Sequence, residues 1–240
     1  MPPPQSRVLD DPCLPNVPAP IAIPRYLEET YWWAYVRPGA VRFFERQWLV
    51  NLILWGNFNR LSEAALSELG APISGRTLQI ACVYGDLTAR LCGRLAAGSS
   101  LDVVDVLPVQ LRNLRGKLPP GAPVTLIHRD AVSLDAASAC YDQALVFFLL
   151  HEQPEAVRRR TLAEAVRVVR PGGKIVIVDY HRPRAWHPLA HALRPLLNRL
   201  EPFALDLWRR EIRDWLPADA GTVTKTTYFG GLYQKLVVQR

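Results

Sequence analysis

From Thr77 onward the chain alternates short apolar runs with helical stretches, and nothing else in the sequence constrains its fold as strongly. The runs TLQIACV, LDVVDV, VTLIHRD, QALVFFLL and KIVIVDYH have strand length, and each gap between them can hold a crossover connection. Strands joined in that way lie parallel in one sheet covered on both faces, which is why the runs are continuously apolar. Two further runs, TVTKTTYF and GLYQKLVVQ, are split by Gly230-Gly231 and read as an antiparallel pair. The expectation is an α/β, Rossmann-like fold with a mostly parallel seven-stranded sheet.

The first 70 residues follow a different pattern. Residues 1–24 carry eight of the 21 prolines, which forbids regular helix and predicts an extended arm. Residues 25–70 are helical and aromatic-rich, with Pro38-Gly39 as a break and Gly70 as a stop, and are expected to form a cap over the domain at 71–240. The 240 residues suffice for one sizeable core, and 49% hydrophobic with 21% charged residues is ordinary for a globular chain. Cys13, Cys82, Cys92 and Cys140 lack CxxC spacing, so neither a zinc site nor a disulfide framework is expected, and a reducing cytoplasm fits. There is no signal-like h-region, and no run approaches the roughly 20 apolar residues of a spanning helix. The net charge of +7 gathers largely between Arg158 and Arg213, among tryptophans and leucines at helical spacing. That distribution favours a membrane surface over nucleic acid.

In such a sheet the ligand lies across the carboxyl ends of the strands. The first end is LQIACVYGD, the second DVVDVLPVQL and the third HRDAVSL. Asp105, last in its strand, can accept two hydrogen bonds from a cis-diol, with Asp102 as the competing carboxylate. Asp130 with Ala131 can contact a base, or Asp130 can cap a turn. After the fourth strand come Phe147, Phe148 and His151, and Pro171-Gly172-Gly173 turns the chain into the fifth strand.

Residues 140–183, CYDQALVFFLLHEQPEAVRRRTLAEAVRVVRPGGKIVIVDYHRP with its neighbours, resemble the class I S-adenosylmethionine-dependent methyltransferases. Their pattern there is fDxvxxxxxLHh…lxexxRvLkPGGxhxhxDxxxp. The resemblance implies S-adenosylmethionine as co-substrate, held by Gln79, Ala81, Gly85, Asp105, Val106, Asp130, Ala131 and Phe147, with Tyr35 reaching it from the cap. Where that family has hDhGxGxG, this chain has Gln79 in place of the acid and Ala81 and Val83 in place of glycines; Gly85 alone is retained.

The VYGDLT turn, the YWWAYVRP cap and the VDYHRP strand together resemble a narrower group, the rhodoquinone-biosynthesis RquA proteins. That resemblance implies conversion of ubiquinone to rhodoquinone, with S-adenosylmethionine as amino donor and manganese (Mn2+) required. Tyr84, Asp86, His151 and His181 are then the candidate catalytic residues, and Asp86 and His181 the candidate metal ligands. The bland reading of Tyr84 and Asp86 is packing and helix capping. A conventional methyltransferase and a non-catalytic binding protein are the alternatives. The expected location is cytoplasmic, peripheral on the inner face of the membrane, with ubiquinone as substrate.

Overall fold

The structure is a computed structural model that describes residues 21–31 and 45–240. The proline-rich arm up to residue 20, Tyr35 and the Pro38-Gly39 break lie outside the described residues. Seven strands form one sheet in the order β3-β2-β1-β4-β5-β7-β6. They are β1 (Arg76–Ile80), β2 (Ser100–Asp105), β3 (Val124–His128), β4 (Tyr141–Phe147), β5 (Val169–Tyr180), β6 (Thr222–Tyr228) and β7 (Tyr233–Gln239). The first five are parallel, and β7 is antiparallel to both β5 and β6. Central strands are buried along nearly their whole length, as their continuous apolar runs require, whereas edge strand β6 carries exposed Thr and Lys. Strand order reverses beside β1, which opens a crevice at the carboxyl ends of β1, β2 and β4.

The helices cover this sheet. Short helices α1 (Arg25–Thr30) and α2 (Gln47–Ile53) precede α3 (Phe58–Leu69), which ends at Gly70 as the sequence suggests. Its buried residues Phe58, Leu61, Ala65, Leu66 and Leu69 recur at helical spacing and pack on β5 and β7. The expected cap is therefore divided: α3 is a covering layer of the sheet. By contrast, α1 joins a small separate cluster of Leu27, Tyr31 and Leu107 beside the crevice. Helices α4 (Leu87–Cys92), α5 (Pro108–Arg115) and α6 (Glu155–Val168) are the crossovers, and α7 (Ala190–Leu200) and α8 (Asp206–Arg209) lie between β5 and β6.

Two local details revise the expectations. Pro171-Gly172-Gly173 lies within β5 as a bulge: Val169 pairs with Tyr141 and Lys174 with Gln143, so 170–173 loop out. Gly172 takes φ +79, and a Cβ on Gly173 would sit 2.5 Å from the Asp142 carbonyl oxygen. Cys140 is disulfide-bonded, so the scattered cysteines do include a bridge.

Candidate active site

The turn after β1 keeps its shape although most of its glycines are gone. Ala81 adopts φ +73, the left-handed region that glycine occupies at little cost, so alanine here holds a strained backbone of about 1–2 kcal/mol. Gly85, at φ +83, survives where a Cβ would strike Gln47 and Phe58. Lys117 pins the turn by donating to the Gly85 carbonyl at 2.9 Å while pairing with Glu45 at 2.6 Å, and Glu45 accepts from the Gly85 amide. Beneath the turn Gln79 is fully buried: its Nε2 donates to the Ala81 carbonyl at 3.0 Å, and its Oε1 accepts no bond.

A first cavity opens over this turn. Of the residues expected at the cofactor, Ala81, Asp105, Val106, Asp130 and Ala131 line it and Gln79 and Gly85 do not; Tyr26, Gln110, Phe148 and Glu152, which the sequence reading did not assign to the cofactor, line it too. Asp105 accepts from the Cys82 and Leu107 amides, one on each oxygen at 2.8 Å, and burial lifts its carboxyl to about 6. Asp102 is settled as structural, since Arg76 and the Tyr141 hydroxyl occupy its carboxylate. Asp130 lines the cavity and also holds a turn through the Val132 amide.

A second cavity, of about 540 Å³ and mostly apolar, lies alongside. Tyr84, Phe148, His151, Tyr180 and Glu201 line its inner end; Leu52, Ile53, Trp55, Leu196 and Leu200 its other walls. Phe148 borders both cavities, at φ +51 just after β4. Phe147, expected at the cofactor, is instead core: it is in the strand and packs edge-on against Phe58. The Tyr84 hydroxyl accepts from Gln110 at 2.9 Å, and burial raises its pKa.

His151 is the best-positioned titratable group of this cavity. Its Nδ1 donates to Asp179 at 3.0 Å, while Asp179 also accepts from the Leu150, His151 and Tyr180 amides. Its Nε2 stands 3.7 Å from both Glu152 and Glu201. Burial disfavours the imidazolium, but Asp179 and Glu201 outweigh it and lift His151 to about 9. Burial raises the Glu201 carboxyl as well. The arrangement is an oriented proton donor at neutral pH, facing an apolar chamber.

Because the folded pKa of about 9 exceeds the ordinary histidine value of 6.5, the His151 charge stabilises the fold fully below pH 6.5. That stabilisation fades as pH rises through 9. Denaturant unfolding at pH 6 and pH 9.5 should differ by on the order of 3 kcal/mol, and His151→Gln should remove most of the difference.

The loop that carries His151 is anchored by Arg158, fully buried in α6. It donates to the carbonyls of Leu150, Gln153 and Phe203 at 2.9–3.1 Å and lies 4.1 Å over the Trp215 ring. Arg158→Met strands three buried carbonyls, and an unfolding free energy lower by about 3–5 kcal/mol is the expected denaturation result.

Asp86 and His181 line neither cavity. Asp86 precedes α4, half-exposed, 3.9 Å from Arg90. His181 donates from Nδ1 to the Gly231 carbonyl and faces Glu211 and Lys225. These residues do not fit a manganese site, and among the described residues no group of three or more His, Cys, Asp or Glu side chains could hold a metal ion.

Comparison with known proteins agrees with this geometry. A methyltransferase-domain family matches residues 77–173. The demethylmenaquinone methyltransferase of Beutenbergia cavernae is 30% identical over 180 residues, 70% of each chain. The ubiquinone/menaquinone biosynthesis C-methyltransferase UbiE of Syntrophotalea carbinolica is 30% identical over 152 residues, 61% of this chain; the match spans 62% of that relative, somewhat under two thirds. Human N-acetylserotonin methyltransferase, solved with S-adenosylmethionine, superposes with TM-score 0.60 at 14% identity, covering 91% of this chain and 60% of its own. The N-methyltransferase NodS of Bradyrhizobium japonicum gives 0.52 at 16% identity, over 75% and 92%. With a sheet of this order, a carboxylate at the end of β2 and a relative matched over 70% of its length, the chain belongs to the class I S-adenosylmethionine-dependent methyltransferases.

Proposed function

We propose that this protein uses S-adenosylmethionine to modify the ring of an isoprenoid quinone, and that the group it transfers is the amino group. In this reading the amino nitrogen attacks the ring carbon of ubiquinone that bears a methoxy group, methanol leaves, and the nitrogen's bond to Cα then breaks with loss of a Cβ proton, leaving an unsaturated carboxylate on the sulfonium side and the amino group of rhodoquinone on the ring. The first cavity takes the nucleoside through Asp105 and Asp130, and the second takes the ring and the start of the tail. Quinone as substrate is supported by the relatives' names, and amination by the resemblance of the VYGDLT turn and its surroundings to the RquA proteins.

The single observation that carries amination is Gln79. A carboxylate near an amine favours the ammonium, which cannot attack a ring; neutral Gln79, buried beneath the turn and outside both cavities, removes that bias from the methionine end. His151, held as imidazolium by Asp179, is placed to protonate the departing methoxy group. Methyl transfer to a quinone is the second reading, and the relatives named as C-methyltransferases favour it.

S-adenosylmethionine carrying heavy nitrogen in its amino group separates the two. Incubated with ubiquinone and protein in buffer containing manganese, it should deliver the label to the quinone. A quinone heavier by one methyl group, with S-adenosylhomocysteine formed in equal amount, overturns amination. The enzyme acts at the cytoplasmic face of a membrane, peripherally, where its substrate resides.

A further inference from the structure

The mouth of the second cavity is apolar. Helices α2 and α7 are about 140 residues apart in sequence yet together form its rim. Leu52, Ile53, Trp55, Leu196 and Leu200 line the cavity and are exposed at the same time, Leu52 at 63%. Trp48, at 58%, precedes Leu52 by four residues and so shares its face of α2. A contiguous apolar rim of this kind marks a contact surface.

The charges around it select the partner. No acidic residue occurs from Arg46 to Ser62 or from Arg182 to Leu200. Arg182, Arg194 and Arg209 line a separate recess of about 380 Å³ with Trp208, and Arg194 is on α7, the helix that also carries rim residues Leu196 and Leu200. Apolar and tryptophan side chains beside arginines match the boundary between acyl chains and anionic headgroups.

We propose that this rim inserts into a bilayer containing anionic phospholipid, with a headgroup phosphate in the arginine recess, so that the quinone enters sideways from the lipid. The inference rests on the quinone reading: the isoprenoid tail stays in the membrane while only the ring and adjoining carbons pass into the cavity.

The test uses the full chain and quinone-free vesicles, so it is independent of which group is transferred. Co-sedimentation should show at least tenfold tighter binding to phosphatidylcholine vesicles containing phosphatidylglycerol than to phosphatidylcholine alone. Trp48→Glu should weaken binding to both by about tenfold, while leaving S-adenosylmethionine affinity and the melting temperature unchanged. Arg194→Glu with Arg209→Glu should abolish only the preference for the anionic lipid. Wild-type protein that stays in the supernatant, a Trp48→Glu protein that sediments like wild type, or a preference that survives loss of both arginines overturns the proposal. Failure of the labelled-nitrogen assay with vesicle binding intact refutes the reaction and leaves the surface standing.

Discussion

Asp179→Asn is expected to lower turnover by about 10²–10⁴-fold while S-adenosylmethionine affinity stays within a factor of about two. Asp179 touches neither ligand in the proposed reaction; it acts through His151. One carboxylate oxygen accepts from His151 Nδ1 and the Tyr180 amide, the other from the Leu150 and His151 amides. Asparagine has a single acceptor oxygen, so its amide NH2 must face either backbone donors or the imidazole. Where it faces the imidazole, Nδ1 becomes the acceptor and the proton moves to Nε2, and the positive charge loses its partner. The same exchange behind a catalytic histidine in serine proteases costs about 10⁴ in turnover. Two readouts separate this positioning role from mere structural damage. The alkaline limb of the rate profile, expected near pH 9 in the wild type, should move toward the ordinary histidine value, and calorimetric cofactor binding should persist. A variant with wild-type turnover and an unmoved profile would refute the role assigned to His151.

Much of the sheet and half of the site were legible because parallel strands force their cofactor contacts to the carboxyl ends. Asp105, Asp130 and Ala131 follow from that rule and line the first cavity. Phe147 shows where the rule stops: strand residues alternate in direction, so of two adjacent phenylalanines one enters the core and the next, with a left-handed backbone, faces the cavities. At Ala81 the backbone conformation that glycine favours persists with a methyl group on it, which a count of glycines does not reveal. Glu201 had no local signal at all. It follows α7 and meets His151, fifty residues earlier, only through tertiary packing. Asp86 and His181, the candidate metal ligands, each have their own partners, Arg90 for one and Gly231 for the other.

Asp105→Asn should raise the dissociation constant for S-adenosylmethionine about 100-fold, from the loss of charge-assisted bonds of about 1.5–3 kcal/mol each. Each carboxylate oxygen spends one lone pair on a backbone amide and keeps another for a ribose hydroxyl. Burial has lifted the carboxyl from 3.8 to about 6, so in the folded apoprotein at neutral pH its ionisation is opposed by on the order of 3 kcal/mol. The sign follows: this group favours folding below pH 3.8, and the advantage is lost as pH rises through 6. A diol donating to the carboxylate offsets that penalty, so cofactor binding is linked to the ionised form. Affinity in the wild type should be level above pH 6 and fall roughly tenfold per unit below it. The asparagine variant should bind weakly and with no such slope, because it has no proton to lose. Its apoprotein should unfold within about 2 kcal/mol of wild type, since relief of the buried charge opposes the strain of an amide NH2 facing a backbone donor. Calorimetry at several pH values reads all of this, and a wild-type affinity that does not change between pH 7 and pH 5 would remove Asp105 from the ribose.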